Sequence, residues 1–221
     1  MKKILIITDT IQIDDSSGAK ANVAFIENLE SLKIYDIVVY HYSKKEILIS
    51  GVKTVLIPEI KNSLFYILSR SQRLINRYLN VELSVFLENI FGFSFTYLND
   101  VRSIKKSLTK IDFTPNLVIT LSKAASFRPH HAILSFPDFH SKWMAYIHDP
   151  YPMNCYPRPY NWVEPGYFKK MKFFTELSLK AEYPTFPSQL LKEWMGSYFE
   201  NFRKRGLVIP HQSSHSFHRL S

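Results

Sequence analysis

A histidine beside an aspartate, at the end of an apolar run, is where this sequence first places side chains together for chemistry. Trp143-Met-Ala-Tyr-Ile147 runs straight into His148-Asp149-Pro150. A neutral imidazole both donates and accepts hydrogen bonds, and a neighbouring carboxylate can orient it toward hydroxyl-rich ligands. The alternative is a turn histidine satisfied by backbone. A second place is Ser17-Gly18-Ala19, which follows Ile4-Leu-Ile-Ile-Thr8 and a polar loop. A helix beginning there would point free amides at an anion, although a single glycine opening a helix is commonplace. Asp9, Ser122, Lys123 and Ser188 also follow apolar runs and are cleft candidates by location. Ser188 is equally a helix N-cap by residue type.

Other chemistries are poorly provided for. The single cysteine, Cys155, sits among Pro152, Pro157 and Pro159 with no evident base. It is not expected to be a nucleophile, and one cysteine fits a reducing compartment. His211, His215 and His218 could share a helical face and hold a metal, but their Ser-rich surroundings read as a frayed tail. His130-His131 and His140 lack ligand spacing and fit loop or surface positions. Asp14-Asp15 read as solvated loop carboxylates, and no Asp-x-Asp triplet occurs. No metal site is expected. The six glycines stand at least ten residues apart, so neither a dinucleotide-binding fingerprint nor a P-loop can be assembled from them.

The elements that must position these residues follow from apolar patterning. Short β-branched runs at Ile4–Thr8, Ile37–Tyr40, Thr54–Ile57, Leu117–Ile119, Trp143–Ile147, Tyr183–Phe186 and Leu207–Ile209 read as strands buried on both faces. Helices are expected after Gly18, across Leu64–Leu108 with breaks near Asn80 and Phe91-Gly92, over Gly166–Lys180, and from Ser188 to about Phe202. Strands alternating with helices predict an α/β, Rossmann-like, doubly wound parallel sheet. Ligands of such sheets sit outside the carboxyl ends of the strands. With 221 residues, 46% of them hydrophobic, the chain can bury one large core. The apolar run behind Lys2-Lys3 spans only Ile4–Ile7, short of the roughly 7–15 residues of a signal core, so a cytoplasmic protein is expected.

Three segments together resemble the first domain of retaining GT-B glycosyltransferases of the family 4 (group 1) type. They are Lys3–Thr10 with Ser17-Gly18-Ala19, the run Trp143–Pro152 around His148, and Ala181–Met195 followed by Lys204–Pro210. The usual Gly-Gly of that family is Gly18-Ala19 here. The resemblance implies the acceptor-side N-terminal half of a GT-B fold over residues 1–210, with residues 211–221 a linker start or disordered tail and the second domain absent. It implies a hexosyltransferase reaction from a nucleoside-diphosphate sugar, with retained configuration and no required metal or other cofactor. The acceptor would be a glycan or lipid-linked molecule, as in surface polysaccharide synthesis. His148 and Asp149 would be catalytic, Ser17, Gly18 and Ala19 would form the donor-side loop, and the chain alone would be inactive. A related GT-B-like enzyme, such as a sugar-nucleotide epimerase, is the alternative.

Basic charge leaves partners open. The formal charge is +9, which attracts nucleic acid, anionic lipid or phosphorylated ligands alike. A basic nucleic-acid-binding α/β module is one reading, but no nucleic-acid motif appears, so no such partner is expected. Arg70, Arg73 and Arg77 alternate with Leu74, Ile75 and Tyr78, as in basic amphipathic helices that lie on an anionic membrane. Peripheral contact with the inner face of the plasma membrane is one expectation. An ordinary surface helix packed on the sheet is the other.

Overall fold

Isoleucine and leucine dominate the first strand because both of its faces are covered. In the computed structural model, β1 (Lys2–Thr8) lies mid-sheet, with Leu5 and Ile7 facing one apolar layer and Ile4 and Ile6 the other. The structure describes residues 1–79, 83–123, 126–151 and 164–212. Its strands continue with β2 (Tyr35–His41), β3 (Lys53–Leu56), β4 (Leu117–Leu121), β5 (Trp143–Tyr146), β6 (Tyr183–Phe186) and β7 (Leu207–Val208). All pair in parallel, in the order β3-β2-β1-β4-β5-β6-β7. The seven expected strands are therefore present as the doubly wound sheet that their patterning predicts. Register brings Thr8 opposite both His41 and Leu121, and Leu121 opposite Tyr146. The carboxyl ends of β1, β2, β4 and β5 thus align along one edge.

The helices are α1 (Ser17–Ser31), α2 (Leu64–Leu79), α3 (Ser84–Phe91), α4 (Phe95–Leu108), α5 (Arg128–Ile133), α6 (Pro137–His140), α7 (Tyr167–Lys180), α8 (Gln189–Tyr198) and α9 (Glu200–Arg205). α1 covers the Ile4–Ile6 face through Val23 and Ile26, while Val101, Ile104, Phe174, Leu177 and Phe202 of α4, α7 and α9 cover the other. Helices on both faces explain why the strands carry no polar alternation. Among the described residues no helix is long and apolar enough to cross a membrane.

Two sequence expectations need correcting here. The helix expected from Ser188 to Phe202 is two helices, because Phe199 is extended (φ −130°, ψ 92°). Its buried ring wedges against Phe174 and Phe202, each 5.6 Å away, so side-chain burial overrides helix continuation. His130 and His131 are not on a loop or surface: both lie in α5. His130 is fully buried with Nδ1 against Thr120 Oγ1, and His131 packs on Phe93 and Phe173. His140 ends α6 beside the Trp143 ring.

Candidate functional site

The sheet order reverses between β1 and β4, and the loops leaving these strands diverge there. A cavity of about 230 Å³ opens at this point, lined by Ser16, Ser17, Gly18, Ala21, Lys123, His148, Asp149 and His211. It sits at the topological switch point, outside the strand carboxyl ends, where open α/β sheets hold ligands. Of the residues singled out from sequence, Ser17, Gly18, Lys123, His148 and Asp149 converge on it. Asp9 and Ser122 lie buried beneath it. Ala19 is buried in the core, and Ser188 is an exposed N-cap whose Oγ accepts from Leu191 N at 3.2 Å.

One wall of the cavity is the start of α1, and helix-start amides of this kind suit an anion. Ser16 caps the helix by accepting from Ala19 N at 3.1 Å, leaving the amides of Ser17 and Gly18 at the cavity edge. Gly18 is not among the positive-φ glycines, so its backbone there does not itself require glycine. Lys123 supplies a cation from the end of β4, and its Nζ is held by Asp15. That bond is the main reason the Asp15 carboxyl titrates below its usual range. Asp15 is therefore ion-paired to a residue of the cavity lining rather than a merely solvated loop carboxylate.

The floor is built around His148. Its backbone N–H donates to Ser122 Oγ at 3.0 Å. Its ring meets Tyr146 edge-on at 4.5 Å and stacks on His211 at 5.1 Å with 2° between planes. Both ring nitrogens are buried without a partner, so rings, rather than a hydrogen bond to Asp149, hold the imidazole. Burial first, and the neighbouring His211 second, lower the His148 pKa to about 3. The ring is thus neutral at physiological pH and able to donate through one nitrogen while accepting through the other. Burial raises the Asp149 pKa.

Behind the cavity lies a network of which only Asp9 and Ser122 were singled out from sequence. Asn22 Nδ2 donates to Thr8 Oγ1 at 3.0 Å and to Ser122 O at 3.4 Å, tying the ends of β1 and β4 together. Arg128 bridges Asp9 at 3.3 Å and Asp100 at 3.1 Å, and Tyr42 Oη donates to Asp100 Oδ1 at 2.8 Å. Burial raises the Asp9 pKa to about 6, outweighing the attraction of Arg128. The far end of this chain of contacts borders an open hollow of about 500 Å³ lined by Tyr42, Lys44, Glu59, Lys61, Thr96 and Asp100. No local pattern flags Arg128, Asp100 or Tyr42, since partners 58 and 119 residues apart meet only in the fold. For His211, the short spacing from the last strand was the signal available.

Among the described residues no group of three His, Cys, Asp or Glu side chains is placed to hold a metal ion. His215, His218 and Cys155 lie outside the described residues.

No protein-family model and no curated protein matches the sequence. Solved structures do match in fold. TcCGT1 in complex with UDP superposes with a TM-score of 0.51 at 10% identity, over 95% of this chain and 50% of that one. Phytolacca americana UGT2 in its apo form gives 0.47 at 11% identity, over 95% and 51%. Its complex with UDP-2fluoro-glucose and pterostilbene gives 0.46 at 11%, over 95% and 52%. The chain spans about half the length of these structures. The likeness to TcCGT1 shows the fold: a Rossmann-like α/β unit of the kind found in GT-B glycosyltransferases.

Proposed function

We propose that this chain is the acceptor-side, N-terminal half of a retaining, metal-independent GT-B glycosyltransferase acting in the cytoplasm. The reaction would move a sugar from a nucleoside-diphosphate sugar to a glycan or lipid-linked acceptor, in surface polysaccharide synthesis. One observation carries the reading. The cavity at the switch point joins a helix N-terminus and a lysine, which suit a diphosphate, to a neutral buried histidine, which suits sugar hydroxyls. In this reading His148 positions the sugar from below, with Asp149 beside it, and the α1 amides approach the donor from one side. A second half supplies most nucleotide contacts and the main electrostatic stabilisation of the departing diphosphate. The hollow beside Tyr42 and Asp100 takes the acceptor.

Titration of the 221-residue chain with UDP, followed by NMR of the histidine rings, tests this. Weak binding is expected, with shifts at His148 and His211. Lys123→Ala should weaken it about tenfold, the value of one charge-assisted hydrogen bond. Asp15→Asn, which frees Lys123, should strengthen it. Unmoved His148 signals at millimolar UDP would remove the donor site. Once a longer protein carrying both halves is in hand, conversion of the nucleotide sugar to its epimer, with no glycosylated product, would favour the epimerase.

A further inference from the structure

A surface helix ordinarily turns its apolar stripe toward the core; α2 turns its stripe outward. Its inward side is mixed, with Phe65 stacked on Phe95 of α4 at 6.3 Å and Ser69 buried. Leu64, Ile67, Leu74 and Tyr78 recur at helical spacing, yet are 65%, 56%, 54% and 78% exposed. The helix packs on α4 rather than directly on the sheet, and that contact leaves this second apolar row facing solvent. Arg70, Arg73 and Arg77 form a neighbouring row, and no acidic residue occurs between positions 64 and 79. Arg70 lies over the Tyr66 ring at 5.0 Å and Arg73 donates to Thr96 at 3.0 Å, which keeps both cations on that flank.

α3 adds to the outward apolar surface. Val85, Phe86, Ile90 and Phe91 are exposed, as is Phe168 of α7. The two helices meet where Gly166 N donates to Asn89 Oδ1 at 3.0 Å. Glu88, the one acidic residue of α3, faces Lys170 at 3.6 Å.

We propose that the α2–α3 face docks on an anionic lipid bilayer, its apolar side chains entering the acyl–headgroup boundary and its arginines meeting lipid phosphates. Charge chooses this occupant. A second copy placed on the face by a two-fold axis would set arginine rows together in a desolvated contact, with no carboxylates on α2 to pair them. A phospholipid surface supplies phosphates for the one row and hydrocarbon for the other. The inference stands on this surface alone and does not depend on the transferase reading.

Vesicle co-sedimentation tests it, using phosphatidylcholine alone and phosphatidylcholine mixed with phosphatidylglycerol. The chain should pellet with the anionic vesicles and be released as salt rises. Each cation near a charged surface is worth roughly a fivefold gain in partitioning. Combined Arg70→Gln, Arg73→Gln and Arg77→Gln should therefore lose binding about a hundredfold. Leu74→Ser, Tyr78→Ser and Phe86→Ser, which keep the charge, should lose about tenfold or more. A charge-matched control, Lys33→Gln, Lys53→Gln and Arg203→Gln, should keep most of it. All these side chains are exposed, so unchanged thermal melts confirm folding. Equal pelleting with neutral vesicles, equal loss in the control, or full binding by both face variants would overturn the proposal. So would a dimer that the α2 substitutions dissolve.

Discussion

His211 lies flat on His148, with 5.1 Å between ring centroids and 2° between planes. Stacked there, it helps to bury ring nitrogens that have no hydrogen-bond partner. A ligand that hydrogen-bonds to those nitrogens must first displace this ring or turn the imidazole toward the cavity. Burial and the His211 charge both lower the His148 pKa to about 3. His211→Ala removes the second cause and part of the first. The His148 ring should then titrate measurably closer to an ordinary histidine in an NMR pH series. An unchanged His148 titration would mean that the stack does not shield it.

Arg128→Met leaves Asp9 and Asp100 buried without their shared cation. Breaking a buried pair costs about 3–5 kcal/mol; the guanidinium is partly exposed, so about 3 kcal/mol is expected in urea denaturation at pH 7. The deficit should shrink at pH 5, because Asp9, already raised to about 6, takes up a proton and no longer needs the cation. A loss independent of pH would show that Arg128 acts through packing alone.

His41 is fully buried, with neither ring nitrogen paired, and burial depresses its pKa to about 4. The unfolded chain protonates this residue near 6.5 and the folded chain only near 4. Between those values the unfolded state holds more protons, and stability falls as pH falls. His41→Leu should remove about 1.4 kcal/mol per pH unit of that acid lability. It should also gain about 1 kcal/mol at pH 7.5 by deleting unsatisfied polar atoms. His130, His131 and His148 act in the same direction, and Asp9, Asp100 and Asp149, all raised, act against it. The reading to make is the difference in slope between wild type and variant. Parallel slopes would refute the assignment.

Gly166 opens α7 with φ +74°, and a Cβ there would stand 2.5 Å from the carbonyl oxygen of Gly92. Gly166→Ala should cost about 2–4 kcal/mol in a thermal or urea melt, from backbone strain and the clash together. It should also loosen α3 from α7. A loss below about 1 kcal/mol, as for an exposed helix start, would argue that the two glycines do not pack this closely.

The strands were legible because parallel strands buried on both faces read as short β-branched runs, as Ile4–Ile7 and Val118–Ile119 do. His148 was legible because it follows such a run directly. Arg128 was not, since its partners at positions 9 and 100 become neighbours only when β1, α4 and α5 pack. The α5 helix itself escaped notice because Pro129-His130-His131 offers too few residues for a periodicity. For α2 the pattern gave the helix and its two rows, but periodicity carries no sign: it cannot say which face meets α4. Residue types likewise put Ser17 and Gly18 at a helix start without showing that Lys123 and His211 share a cavity with them.

The seam between β1 and β4 also bears on how the molecule assembles. Lys3 N donates to Asn116 Oδ1 across 113 residues, and every strand pair in the sheet is a parallel crossover. Contacts this distant in sequence close late in folding. The segments β1-α1-β2-β3 and β4 to β7 join along the line that carries the cavity. We expect, as a hypothesis, that pulse-labelled hydrogen exchange finds the Leu5 and Ile119 amides protected after those of β2 and β6; simultaneous protection would refute this. If so, Asn22 and Ser122 act as the clasp that ends folding, and a chain stalled before that step would hold two intact halves and no cleft.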